Sequence, residues 1–254
     1  MSSDAGSSDY NGLQVKLNRR YSNGLQYLVS YTWAKSLDVG GSGYFDVENG
    51  AGGSSIWQNY YDLKTARGIS AYNVPQFFSL AGQYDLPFGH NRQFFNQGWA
   101  SYILGDWQFN SLVQIRSGQP YNLTVTGDVA NIGESISWWN YARPNLVGNP
   151  KPAHQNKNEW FDPAAFAIPS YSYGNFQRDS LSSSHVATAD VSLFKAFSIK
   201  DKVAINFRAE AFNVFNIQNY GVPADTNIGD PQAGVIQSNV TDPRQLQLGL
   251  HLTF

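Results

Sequence analysis

The chain has no cysteine in its 254 residues. That excludes a disulfide framework, a thiol nucleophile and a thiolate metal site. Charge is also scarce: Asp, Glu, Lys and Arg make up 14% of the residues, where soluble domains carry about a quarter. The formal net charge is −2, and the basic residues are scattered, so nucleic acid is not expected as a partner. No apolar run approaches the ~20 residues that a spanning helix needs. The opening stretch, Met1 to Asp9, has neither a basic region nor an apolar core, so no signal peptide is expected. A chain of this kind without a leader reads as a fragment of a longer one.

Catalysis and metals find equally little. His90, His154, His185 and His251 lie far apart and share no ligand spacing such as His-Glu-x-x-His. Ser182 to Ser184 precede His185, but no Gly-x-Ser-x-Gly elbow accompanies them. The run Asp225 to Asp230 has oxygen ligands in a calcium-loop-like order. It lacks the glycine at position six and the glutamate at position twelve, so turn chemistry is the expected use. No enzyme, cofactor or metal is therefore expected.

Aromatics are plentiful, with 16 Phe, 15 Tyr and 7 Trp, and they sit in a two-residue rhythm. The last strand shows it best. Leu246, Leu248, Leu250, Leu252 and Phe254 point one way when extended, and Gln245, Gln247, Gly249, His251 and Thr253 the other. A membrane-spanning barrel strand has this form, apolar toward lipid and polar toward a wet lumen. The low mean hydropathy, −0.38, is no objection, because half of each strand faces water.

Six further segments alternate in the same way: Asn11 to Arg20, Leu25 to Ala34, Pro75 to Leu86, Trp107 to Arg116, Ala187 to Ile199 and Val203 to Phe212. Ser22-Asn23-Gly24 marks a hairpin, and Lys200-Asp201 a second tight turn. Pro87-Phe88-Gly89 begins a short or medium connection. Long loops are expected over about Leu37–Ser70, Ser117–Val186 and Asn213–Pro243. Short and long connections thus alternate, as in outer-membrane barrels with short periplasmic turns and long outer loops. Lys195 falls on the lipid-facing register; it either snorkels near the periplasmic interface or marks a bulge. The expected fold is all-β, an antiparallel up-and-down transmembrane barrel segment of about seven strands of a larger barrel. Two unpaired edges would leave such a segment aggregation-prone alone.

Seven motifs in order carry a more specific likeness. They are Ser30-Tyr-Thr-Trp-Ala-Lys-Ser-Leu-Asp38, Tyr84-Asp-Leu-Pro-Phe-Gly89, Ser117-Gly-Gln-Pro120, Arg143-Pro-Asn-Leu-Val-Gly-Asn-Pro150, Phe161-Asp-Pro-Ala-Ala-Phe166, Arg208-Ala-Glu-Ala-Phe-Asn-Val-Phe-Asn216 and the ending Pro243 to Phe254. Together they resemble the C-terminal barrel portion of Oar-like TonB-dependent receptors, over almost the whole chain from Tyr10. The resemblance implies residues 1–254 as a partial receptor barrel, without the family's N-terminal plug. It implies outer-membrane lipid and the barrel-assembly machinery as partners, the latter reading Phe254. The TonB system would be reached only through the missing plug. The location implied is the outer membrane of a Gram-negative-type bacterium, with the C-terminus in the periplasm.

Ligand contact is expected from loop aromatics, foremost Trp138, Trp139 and Tyr141, with Tyr60-Tyr61 and Tyr171-Ser-Tyr173 behind them. Arg208 and Glu210 share the inward face and are expected to form an ion-pair ladder with Asp190 on the neighbouring strand. The ligand itself is not readable. An adhesion or carbohydrate-binding module would use the same loops without transport, and a secreted β-sandwich enzyme would be a compact monomer without detergent. Leu248→Lys or Leu250→Lys should block membrane assembly, at ~2–4 kcal/mol for a cation at the bilayer midplane. Gln247→Lys should be tolerated, and equal recovery of both variants in membrane fractions would contradict the assigned faces.

Overall fold

The structure, a computed structural model, describes residues 6–39, 58–59, 61–90, 92–132, 142–199 and 203–254. Seven long strands form one sheet: β1 (Ser8–Ser22), β2 (Leu25–Asp38), β3 (Gln76–Asp85), β4 (Gln108–Arg116), β5 (Val186–Ile199), β6 (Val203–Phe212) and β7 (Gln245–Thr253). Each pairs antiparallel with the next in sequence, giving an up-and-down order from β1 to β7. Among the described residues no helix is long and apolar enough to cross a membrane.

The register puts the alternation of each strand in phase with its neighbours. One cross-strand row runs Leu25, Tyr84, Phe109, Leu193, Ala209, Leu248 and is apolar throughout. An adjacent row, Gln26, Gln83, Asn110, Ser192, Glu210, Gln247, is polar throughout. A slip of one residue in any strand would exchange its two faces, so the row pattern fixes the register. The β1–β2 turn has Asn23 at φ 53° and Gly24 at φ 79°. Both central residues of a two-residue I′ hairpin need that left-handed backbone.

Two strands exceed their expected lengths. β1 and β2 continue to Ser8 and Asp38, past the ~9–11 residues needed to span hydrocarbon. Ladder bonds remain the cheapest way to satisfy backbone groups past that length, and Gly68–Ile69 adds to β2 at Leu37 and Asp38. The β3–β4 connection also differs from a plain loop: it contains a short helix, α1 (Gly98–Leu104). The turn expected at Lys200-Asp201 lies outside the described residues.

Lys195 does lie on the apolar face, and its register with Phe207 is continuous from Val191 to Ile199, so no bulge is involved. Its amine donates to the carbonyl oxygens of Gly105 and, at 3.4 Å, Ile103, at the C-terminal end of α1. It also lies 4.8 Å from the Phe197 ring centroid and 5.8 Å from that of Trp107. The residue is 2% exposed. A cation on an apolar wall is tolerable only when carbonyls and π-faces replace its water in this way.

All three long connections emerge at one end of the sheet, opposite the short turn. The only compact apolar core among the described residues is there: Tyr121, Leu123, Phe161, Ala165, Phe166, Phe176 and Ala233. At its base the two ends of the second long connection meet: Gly118 passes so close to the returning chain that an added Cβ would sit 2.0 Å from the Ser183 carbonyl oxygen. Gly118→Ala should therefore force these segments apart. The expected readout is a lower temperature for loss of the folded, fast-migrating species on unheated gels; an unchanged transition would show that the contact is soft.

Candidate functional site: the polar face and the loop body

The long connections are rich in Gly, Pro, Asn and Asp, yet they pack as a body because their apolar residues meet. Phe161 and Phe166 are edge to face, with centroids 5.9 Å apart at 87°, and Phe166 meets Phe176 at 5.1 Å and 86°. Tyr121 packs on Phe161 at 6.4 Å. Burial pushes the Tyr121 phenol well above its usual range, so it stays protonated. Two-residue strands, Pro120–Tyr121 with Leu181–Ser182 and Asn145–Leu146 with Phe166–Ala167, tie the second connection to itself.

Two buried arginines brace the body, and one of them ties it to the sheet. Arg178, 1% exposed, donates Nη1 to Asp179 at 2.8 Å and Nη2 to the Asp38 carboxylate. It also reaches the Asp38 carbonyl at 3.0 Å and, through Nε, the Ala66 carbonyl at 3.1 Å. One side chain thus joins the end of β2 to the first and second long connections. Arg143 donates Nη2 to the Thr65 carbonyl at 2.8 Å, while its backbone N–H donates to Gln58 Oε1 at 2.8 Å. Its Nε and Nη1 are buried without a hydrogen-bond partner. Burial, then the nearby Arg178 charge, lowers its pKa to about 10, and Asp179 partly offsets this. Gly174 lies directly over the Arg143 backbone, where a Cβ would fall 1.8 Å from its carbonyl oxygen.

Asparagines close the rim between the sheet and the third connection. Asn219 accepts from Ala187 N at 2.8 Å and donates to Ala187 O at 2.9 Å, which copies a strand partner at the start of β5. Asn213 and Asn216 adopt positive φ, 48° and 52°. Asn213 Nδ2 bonds the carbonyls of Ile217 and Asp242 at 3.0 and 3.1 Å, and Asn216 accepts from Arg244 N at 3.0 Å. These residues belong to the Arg208–Asn216 motif, whose use is to turn the chain sharply beyond β6.

The polar face below carries few charges. Arg208 and Glu210 pair with each other at 3.0 Å. The ladder expected with Asp190 does not form: Asp190 accepts instead from the Asn213 backbone N–H at 2.8 Å. The register explains the difference, since Asp190 stands level with Phe212, next to the rim where that N–H needs an acceptor. Near the short turn, Asp85 gathers Tyr21, Arg92 at 3.2 Å and Gln108 at 3.2 Å.

Trp138, Trp139 and Tyr141 lie outside the described residues, as does Tyr60. Tyr61, Tyr171 and Tyr173 are exposed, Tyr173 the least of the three. In Asp225–Asp230 the oxygens are spent on turns: Asp225 accepts from Asn227 N at 2.7 Å, Asn227 from Gly229 N at 3.2 Å and Asp230 from Gln232 N at 2.8 Å. Ser184 donates to the Tyr220 carbonyl at 3.1 Å, so the serine run knits loops together. Leu246, Leu248, Leu250 and Leu252 are exposed along the apolar face of β7, and Phe254 stands just past its end. Sequence reasoning missed Arg178 and α1. The Arg178-Asp179 pair in a charge-poor loop and the uncharged run Phe94–Leu104 were the available signals.

A family model described as an outer membrane beta barrel domain covers residues 1–247. No curated protein and no solved structure matches the chain.

Arg178→Met should loosen the loop body by ~3–5 kcal/mol, the usual cost of orphaning one partner of a buried ion pair. Limited proteolysis of the folded protein in detergent should then cut the second long connection faster than in the parent protein, and Arg178→Lys should not restore resistance. Equal cutting rates would remove Arg178 from its bracing role.

Proposed function

The chain belongs to the outer membrane beta-barrel domain family, and we propose that it forms part of the wall and the ligand-facing loops of an Oar-like TonB-dependent receptor. The observation that carries this reading is the pairing of a two-faced sheet, continuous over β1 to β7, with a braced loop body at one end. The seven ordered motifs support the finer assignment. In this reading the apolar face meets outer-membrane lipid, the polar face meets a wet lumen, and the loop body lies outside the cell. The C-terminus and the β1–β2 turn are then periplasmic, and Phe254 is presented to the assembly machinery.

Among the described residues β1 pairs only with β2, and β7 only with β6. Open edges are not sustained in hydrocarbon, so the proposal includes closure by further strands. It also places the plug, and with it the contact to TonB, outside these residues. The chain would contribute ligand capture on loops held by a rigid wall, with no chemistry of its own and no cofactor. Exposed Tyr61 and Tyr171 favour a second reading, a surface module that grips glycans without transport.

The genomic DNA upstream of the Met1 codon separates the two. A receptor predicts a plug-coding frame continuous with this one or beside it. An unrelated gene there, together with glycan binding by the assembled protein, would replace transport with adhesion.

A further inference from the structure

The β3–β4 connection carries the residues Phe94-Phe-Asn-Gln-Gly-Trp-Ala-Ser-Tyr-Ile-Leu104. None of them is charged, and six are large and apolar or aromatic. Helix α1, which ends this run, is oriented the wrong way round for water. Its Ser101 is buried at 5% exposure, while Trp99 and Tyr102 are 75% and 77% exposed, with Ile103 and Leu104 about half exposed. Phe94 and Phe95 are exposed as well. An aqueous helix buries the opposite face.

The helix lies against the apolar face of the sheet. Trp107 donates Nε1 to the Ile103 carbonyl at 3.0 Å and packs edge to face on Phe207, 5.8 Å between centroids. The Lys195 amine holds the carbonyls of Ile103 and Gly105. Lys195 lies four residues before the end of β5, roughly 13 Å along a strand at ~3.3 Å per residue. With spanning strands tilted by ~45°, that depth falls near the edge of the hydrocarbon. The exposed aromatics of α1 therefore continue the lipid-facing wall outward at the short-turn end, where Trp and Tyr are favoured.

We propose that α1 is an interfacial anchor, lying in the headgroup and glycerol zone of the phospholipid leaflet next to the short turns. Lys195 clamps it to the wall by its last carbonyls, and Trp99 and Tyr102 enter the lipid. The occupant of this surface is the bilayer itself, because the surface is continuous with the face that the family membership already gives to lipid. This inference rests on the membrane reading of the apolar face and adds a second, non-spanning contact to it.

The absence of cysteine makes the test direct. Single substitutions Tyr102→Cys, Trp99→Cys and, as reference on the wall, Leu193→Cys are labelled with an environment-sensitive fluorophore. The protein is extracted from outer membranes with whatever strands close it, and reconstituted into phosphatidylethanolamine and phosphatidylglycerol vesicles with or without brominated acyl chains. Blue-shifted emission and its loss in brominated vesicles at positions 99, 102 and 193 support the anchor. Loss at 193 with water-like, unquenched emission at both 99 and 102 overturns it and leaves the barrel reading intact. No loss at any of the three overturns the membrane reading along with it.

Discussion

A bilayer offers no hydrogen-bond partner to a peptide group, so every N–H and C=O that enters it must be paired inside the protein. Most of this architecture follows from that requirement. It selects strands joined in an unbroken antiparallel order, because each ladder satisfies its neighbour and only the outer edges are left over. It also explains why β1 and β2 keep pairing beyond the span: an interrupted ladder near the interface would expose polar backbone where water is scarce. The unbroken order from β1 to β7 meets that demand for every strand between the two outer ones.

The same solvent reverses the usual location of a core. A wall with lipid on one side and polar side chains on the other has no interior in the soluble sense. The chain's aqueous-phase core is instead among its loops, where Phe161, Phe166 and Phe176 pack edge to face and Tyr121 tilts against Phe161. Loops this long would otherwise be costly to order. Buried charge holds them: Arg178 spans the end of β2 and two connections, and Arg143 lies behind it. In the receptor reading proposed above, such a body would supply a surface whose shape is set before a ligand arrives.

Cations on the two faces show how local surroundings decide a charge's fate. Arg208 on the polar face is exposed and pairs weakly with Glu210. Lys195 on the apolar face is enclosed by carbonyls and rings. Both are ordinary basic side chains; only the second required a separate element of structure, α1, to make it tolerable.

The amino-acid order alone determined the strands, their faces, the Asn23-Gly24 hairpin and the alternation of short and long connections. These follow from the two-residue period and from turn chemistry, which act between near neighbours. What it could not determine was contact between distant segments. The partnership of Arg178 with Asp38 spans 140 positions, and the diversion of Asp190 from Arg208 to the Asn213 backbone depends on the height at which β5 meets β6. The folding of Phe94–Leu104 onto the outer wall depends on Lys195, some ninety residues away. Pairings of that kind carry no period, because they arise only when the register has fixed which side chains stand level, and so the tertiary structure decided them.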